Sequence, residues 1–208
     1  MIRDDGAEGS ERAAAIETPS ADGRTGASRV TLRPVTGHDR DEFLELARAS
    51  VDLHRPWMAP PTTAEEFQAL VARYDQPGEE CLLIRARGTG AIAGMVYINS
   101  IIRGRFQSGS LAYAAFAPSA GRGYMSEGLG LVLRYAFEDL RLHRLEAQIQ
   151  PGNEASLRLV RRLGFKKEGH SPGLLFIDGA WRDHERWAIT AEMTDARPVP
   201  PHPTRPVR

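Results

Sequence analysis

Ala117-Pro118-Ser119-Ala120-Gly121-Arg122-Gly123-Tyr124 is the stretch on which the reading of the fold turns. It follows a strand-like run, residues 110–117. Behind it Met125, Leu129, Val132, Leu133, Ala136, Phe137 and Leu140 recur at helical spacing, which predicts a helix over 124–140. Glycines at 121 and 123 let the backbone turn so that several amide N–H groups converge, and the start of a helix adds partial positive charge. Such a turn suits a phosphate or pyrophosphate, with Arg122 as an added cation. The same residues suit a tight strand-to-helix turn that needs glycine for steric reasons alone, and the stretch by itself leaves both open. No Gly-Lys-Ser/Thr follows, so it is not a Walker loop, and the third glycine of a dinucleotide fingerprint is misplaced. Gly128 and Gly130 lie inside the helix, where each costs about 1 kcal/mol relative to alanine. They are expected to mark places where a neighbour packs closely.

Working outward, Val30–Pro34 reads as a short strand ended by proline, and residues 38–50 as a helix with Phe43, Leu44, Ala47 and Val51 on one face. Thr62 or Thr63 is placed to cap a second helix, with Glu65 and Glu66 in its first turn, where the dipole favours them. A hairpin runs from Cys81 to Arg87, turns at Gly88-Thr89-Gly90 and returns from Ala91 to Asn99. Downstream of the long helix come a strand at 144–149, a helix at 153–163 ended by Gly164, and a last strand pair turning at Asp178-Gly179. Strands and helices mix without strict alternation, so an α+β fold is expected: a mixed sheet with helices on its faces.

Residues 1–28 show no apolar period and read as a disordered leader, and the proline-rich residues 195–208 as a disordered tail. One folded domain is expected at 29–194. The 27 basic and 27 acidic side chains cancel, so no direct sequence-specific nucleic-acid binding is expected. No apolar run is long enough for a membrane span, the N-terminus lacks a secretory signal, and the cytoplasm is the expected compartment. Cys81, the one cysteine, sits in an apolar run that reads as core, and no metal site is spelled out.

Several further segments carry a resemblance. Gly121-Arg122-Gly123-Tyr124-Met125-Ser126-Glu127 is followed by Tyr135-Ala136-Phe137 and Leu142-His143-Arg144-Leu145-Glu146-Ala147. Then come Pro151-Gly152-Asn153-Glu154-Ala155-Ser156, Leu163-Gly164-Phe165-Lys166-Lys167-Glu168-Gly169 and Ile177-Asp178-Gly179-Ala180-Trp181-Arg182-Asp183-His184. In this order they resemble the GNAT acetyltransferase superfamily and, within it, the ribosomal-protein-alanine N-acetyltransferases of the RimJ/RimL type. Arg55-Pro56-Trp57 and Arg103-Gly104-Arg105-Phe106-Gln107-Ser108 add to the likeness. The resemblance implies a V-shaped, mostly antiparallel mixed sheet whose fourth and fifth strands splay apart. It implies acetyl-CoA in that gap, its pantetheine paired with the strand before residue 117. Phe116, Ala117, Ala120, Gly121, Arg122, Gly123, Tyr124, Met125, Asn153 and Ser156 are then the expected coenzyme contacts, with backbone N–H groups near Ala115, Phe116 and Ala117 as oxyanion donors.

The resemblance also implies roles on the acceptor side. Ser156 stands where RimL-type members carry a serine beside the thioester sulfur and is a candidate donor to the departing thiolate, although a helix-start serine also bonds backbone. Asn153 is a natural helix cap. The usual acid and base positions hold Val160, Leu174 and Leu175, so Glu127 remains as candidate base or water relay, with a helix-dipole role as its plainer reading. Trp57, Arg103, Phe106 and Tyr113 are expected to line the acceptor side. Asp183 and His184 either position the acceptor or brace the closing strand. At pH 7 roughly 10% of an α-amine of pKa about 8 is neutral, against about 0.04% of a lysine. Weak base equipment therefore favours an α-amine, such as the N-terminal alanine of a ribosomal protein. A small-molecule amine acetyltransferase and a non-catalytic acetyl-CoA-binding factor are the alternatives.

Overall fold

The structure is a computed structural model that describes residues 28–194. The expected leader, apart from Ser28, and the expected tail at 195–208 lie outside the described residues. Among the described residues, seven strands form one sheet in the order β1-β2-β3-β4-β5-β7-β6. They are β1 Val30–Pro34, β2 Glu80–Ala86, β3 Ile92–Ile102, β4 Ser108–Ala115, β5 Arg144–Ile149, β6 Lys166–Ile177 and β7 Ala180–Thr190. Every neighbouring pair is antiparallel except β4 with β5. The fold is the α+β arrangement expected, an open mixed sheet with helices.

Alternation of side chains splits the core into two layers. On one face Leu82, Ile84, Val96, Ile98, Leu111, Leu145, Ala147 and Ile149 pack with α4 (Tyr124–Arg134) and α5 (Glu154–Arg162). On the other, Cys81, Leu83, Met95, Tyr97, Ala114 and Phe116 pack with α1 (Arg40–Ala49) and α3 (Ala64–Tyr74). Cys81 is core, and burial pushes its thiol well above the ordinary range. Thr63 caps α3: its side chain accepts from the Glu66 amide at 3.2 Å, and the Glu66 carboxylate bonds back to the Thr63 amide.

Three expectations are adjusted. The helix expected over 38–50 begins at Arg40 and continues into a second short helix, α2 (Val51–His54), because Ser50 bonds back to the Leu46 carbonyl at 2.6 Å. The strand expected to reach residue 117 stops at Ala115, since Pro118 has no N–H for a ladder and Ala117–Ser119 coil into one tight turn. The long helix changes its winding at Tyr135–Asp139, where the Leu140 amide reaches back five residues to the Tyr135 carbonyl at 2.9 Å.

Candidate active site

The opening in the sheet comes from where pairing stops. β4 pairs with β5 only from Ser108 with Arg144 to Leu111 with Ala147, while its other edge stays on β3 through Ala115. Beyond Leu111 the strands part, and a cleft of about 730 Å³ lies between them. Alternation decides which backbone groups face it. The Phe116 amide donates to the Ala93 carbonyl at 3.0 Å, on the β3 side, so the amides of Tyr113 and Ala115 face the gap. Of the three expected oxyanion donors, Ala115 alone is directed there. Phe116 is tied to β3, and the Ala117 amide donates to Ser50 Oγ at 2.8 Å. The Ala115 carbonyl accepts from His54 Nε2 at 2.8 Å, which leaves His54 Nδ1 a buried acceptor without a partner among the described residues.

The glycine loop takes the left-handed turn that its glycines allow. Gly121 and Gly123 take φ of +75° and +84°, a region that favours glycine. The Ala120 amide is engaged with the Ala117 carbonyl at 3.2 Å, but the amides of residues 121–125 donate to no group among the described residues. The first α4 amides to find acceptors are those of Ser126 and Glu127, both on the Gly123 carbonyl. Free N–H groups before and at a helix start are the kind of donors that an anion accepts from. Arg29, which no sequence signal singled out, braces this turn. It donates through Nη2 to the Arg122 carbonyl at 3.0 Å and stacks over Tyr124 at 5.1 Å.

Arg29 also accounts for Glu127. Its amide and Nε donate to the Glu127 carboxylate at 2.9 and 2.7 Å, and its Nη2 joins them. Glu127 is thus ion-paired beside this turn and is not among the residues lining the cleft. The pairing offsets a negative charge that would otherwise repel phosphate.

Ser156 and Tyr113 meet. Their oxygens lie 2.7 Å apart, Tyr113 on β4 and Ser156 in the first turn of α5, so they bridge the two sides of the cleft. Asn153 caps α5 by accepting from the Ser156 amide at 3.1 Å, which fixes where Ser156 stands. Burial pushes the Tyr113 phenol up to about 12, against the pull of its Ser156 bond, so at neutral pH both hydroxyls keep their protons. Two protonated hydroxyls in contact have the chemistry of a proton donor.

Of the other expected acceptor residues, Trp57 and His184 line the cleft. The Trp57 ring packs on Gly152, where an added Cβ would sit 3.3 Å from it. Gln150 Nε2 donates to the Pro56 carbonyl at 3.3 Å, so the segment after α2 is held to the end of β5. Phe106 is 64% exposed and Arg103 bonds the Leu140 carbonyl, both away from the cleft lining. Asp183 accepts from the Gly173 amide at 2.8 Å and lies 3.4 Å from His170, bracing the β6–β7 hairpin. The cleft also takes in Asn99 and Gln148, which sequence reasoning missed. Neither stands in a motif, and they meet only because β3 and β5 flank the same strand.

A family model described as "Acetyltransferase (GNAT) domain" matches residues 29–166. Among curated proteins, the probable N-acetyltransferase YjcK of Bacillus subtilis is 40% identical over 98 residues, 47% of this chain and 54% of that protein. The [ribosomal protein uS5]-alanine N-acetyltransferase of Escherichia coli is 38% identical over 99 residues, 48% of this chain and 51% of that one. The chain spans about half the length of these curated relatives. Among solved structures, Mycobacterium smegmatis RimJ in complex with CoA-disulfide superposes with a TM-score of 0.74 at 27% identity, covering 80% of this chain and 84% of that one. A ribosomal-protein-S5-alanine acetyltransferase from Vibrio fischeri, at 22% identity and a TM-score of 0.72, covers 89% of this chain and shares the fold.

Proposed function

The chain belongs to the GNAT acetyltransferase family, and from that premise we propose that it transfers the acetyl group of acetyl-CoA to an α-amine, with the N-terminal alanine of a protein as acceptor. The observation that carries this is the parting of β4 and β5 after Leu111 and Ala147, with the Tyr113–Ser156 pair inside the opening. Acetyl-CoA supplies an activated acyl group. The chain supplies the 121–125 amides for the diphosphate and the gap-facing amides of Tyr113 and Ala115 for pantetheine and carbonyl oxygen. Hydroxyls at 113 and 156 supply the proton for sulfur.

The shape and polarity of the cleft support this acceptor class. Its walls combine Trp57, Met58, Tyr97 and Phe176 with the amide side chains of Asn99, Gln148 and Gln150 and with Glu66, Arg73, Asp178 and His184. A short extended peptide with a small first residue suits such walls. The likeness to alanine N-acetyltransferases of ribosomal proteins supports a ribosomal protein as partner and the cytoplasm as its location. No helix among the described residues is long and apolar enough to cross a membrane.

The test is incubation with labelled acetyl-CoA and two acceptor sets, peptides with N-terminal alanine and a panel of aminoglycosides and polyamines. Label on the peptide α-amine is expected. Label on the small molecules alone would reassign the acceptor, and acetyl-CoA binding without turnover on any amine would reassign the chain as a binding factor.

A further inference from the structure

The splayed sheet has two faces. Tyr113 and Ser156 belong to the α4–α5 face, where a leaving thiolate would be protonated. The opposite face, walled by α3 and the segment after α2, contributes Trp57, Met58, Leu70 and Tyr74 to the cleft. His184 stands on this second face. Trp187 and Ile189 of β7 pack into the α4–α5 core, so the even-numbered residues of that strand point the other way. Ile149 pairs with Glu185, which puts His184 just past the end of β5, at the edge of the gap.

Its imidazole is 2% exposed yet lines the cleft. Nδ1 lies 2.9 Å from the Arg182 carbonyl, which only accepts, so Nδ1 carries the hydrogen. In the neutral ring Nε2 then holds the lone pair. Nε2 makes no hydrogen bond among the described residues. His54 Nδ1 is the one buried side-chain nitrogen or oxygen among them without a partner, so His184 Nε2 opens onto the cleft.

We infer that His184 Nε2 takes a proton from the incoming ammonium group, on the face of the sheet opposite the Tyr113–Ser156 pair. The inference rests on the acetyl-transfer reading above. Arg182 and Arg186 lie on the same face of β7, Asp183 is adjacent in the chain, Ser171 of β6 is opposite, and Glu66, Arg73 and Asp178 line the same cleft. Glu66 is held by its helix cap and Arg73 by Glu79. Burial lowers the affinity of His184 for a proton, opposed by the Arg182 carbonyl and Asp183, which keeps the ring a neutral acceptor at pH 7. The step balances: one ammonium proton goes to Nε2 and on to solvent, and the freed amine attacks the thioester carbon. The C–N bond forms and the C–S bond breaks. A second proton leaves nitrogen for solvent, and one from the Tyr113–Ser156 pair reaches sulfur, the pair being recharged through solvent, so that one proton is released net.

The test compares kcat/KM of wild type and His184→Gln across pH with an alanine-starting peptide and acetyl-CoA. A route through His184 uses the ammonium form, and the residual route uses the free amine. The deficit of the variant should be about 100-fold at pH 7, shrink about tenfold per pH unit and vanish near pH 9. A deficit that stays constant with pH, as a structural role would give, overturns the inference, and so does full activity at pH 7. Nitrogen-15 spectra of the unmodified protein supply a readout that needs no variant: the Nδ1–H tautomer is expected at pH 7, and the Nε2–H tautomer or the imidazolium overturns the assignment. Absence of wild-type transfer to any amine would sink the acetyl-transfer reading and the inference together. Wild-type transfer with a flat deficit or the wrong tautomer would sink the inference alone.

Discussion

Two hydroxyls 2.7 Å apart act as one donor if either can pass its proton to the other. Ser156→Ala should therefore lower kcat about 100-fold, within the range of a lost general acid, and leave acetyl-CoA affinity nearly unchanged. Tyr113→Phe should do much the same, and the double variant should lose little more than the worse single one. Steady-state kinetics on the three variants check this, and fully additive losses would mean two separate roles. A second residue-scale consequence concerns acid. Burial depresses the proton affinity of His54, against the Ala115 carbonyl, and that of His184 in the same sense. A folded-state value below the unfolded one gives stability that is complete above about pH 6.5 and is lost as pH falls through the folded-state value. Asp39 titrates lower still: burial works to raise it, but hydrogen bonds from Arg33 and Thr36 overcome that, so it stays ionised in this window. Melting temperature should accordingly drop between pH 7.5 and 5.5. A flat profile there would show that neither imidazole is buried as described.

Helix α4 carries the contrast between what a sequence shows and what it withholds. Gly128 and Gly130 are equivalent in the pattern, and close packing was expected at both. An added Cβ at Gly128 would lie 2.4 Å from Ile84 Cδ1, whereas one at Gly130 meets nothing within 4 Å. Gly130→Ala should stabilise by up to about 1 kcal/mol through helix propensity. Gly128→Ala should destabilise by about 1–3 kcal/mol, because Ile84 is fully buried and has nowhere to move. Urea denaturation of the two variants checks both signs, and stabilisation at both sites would refute the packing account. The elements themselves were legible because periodicity and caps are local: Thr63, Asn153 and the Asp178-Gly179 turn each sit where the pattern puts them. The left-handed turn at Gly121 and Gly123 was legible for the same reason. What stayed hidden depends on partners far along the chain. Arg29 holds Glu127 from 98 residues away, and Ser50 takes the Ala117 amide from 67 away. Tyr113 reaches Ser156 across 43 residues, and neither its spacing nor its type announces that bond.

At the scale of the molecule, the sheet is two antiparallel blocks, β1–β4 and β5–β7–β6, joined along the short parallel run from Ser108 to Leu111. Above that run the blocks meet through side chains: the Tyr113–Ser156 bond, the Gln150 bond to Pro56, and Trp57 on Gly152. On the proposed reading, a ligand lying along the β4 edge, with its diphosphate at 121–125, would fill the opening that separates them and add backbone pairing where β4 has none. It binds the folded chain and not the unfolded one, so at about 100 times its Kd acetyl-CoA should add roughly 2.7 kcal/mol, or about 5–10 °C in melting temperature for a domain of this size. The loop amides should gain protection from hydrogen exchange in the same experiment. Gly123→Asp puts a carboxylate in this loop, where even a Cβ stands 3.0 Å from Arg29 Nη2. It also asks an ordinary side chain to hold φ near +84°. Its own melting temperature can therefore fall, and the informative quantity is the shift on adding ligand, which should vanish. A full shift in this variant, or a wild-type shift without protection at 121–125, would place the coenzyme somewhere other than the gap between β4 and β5.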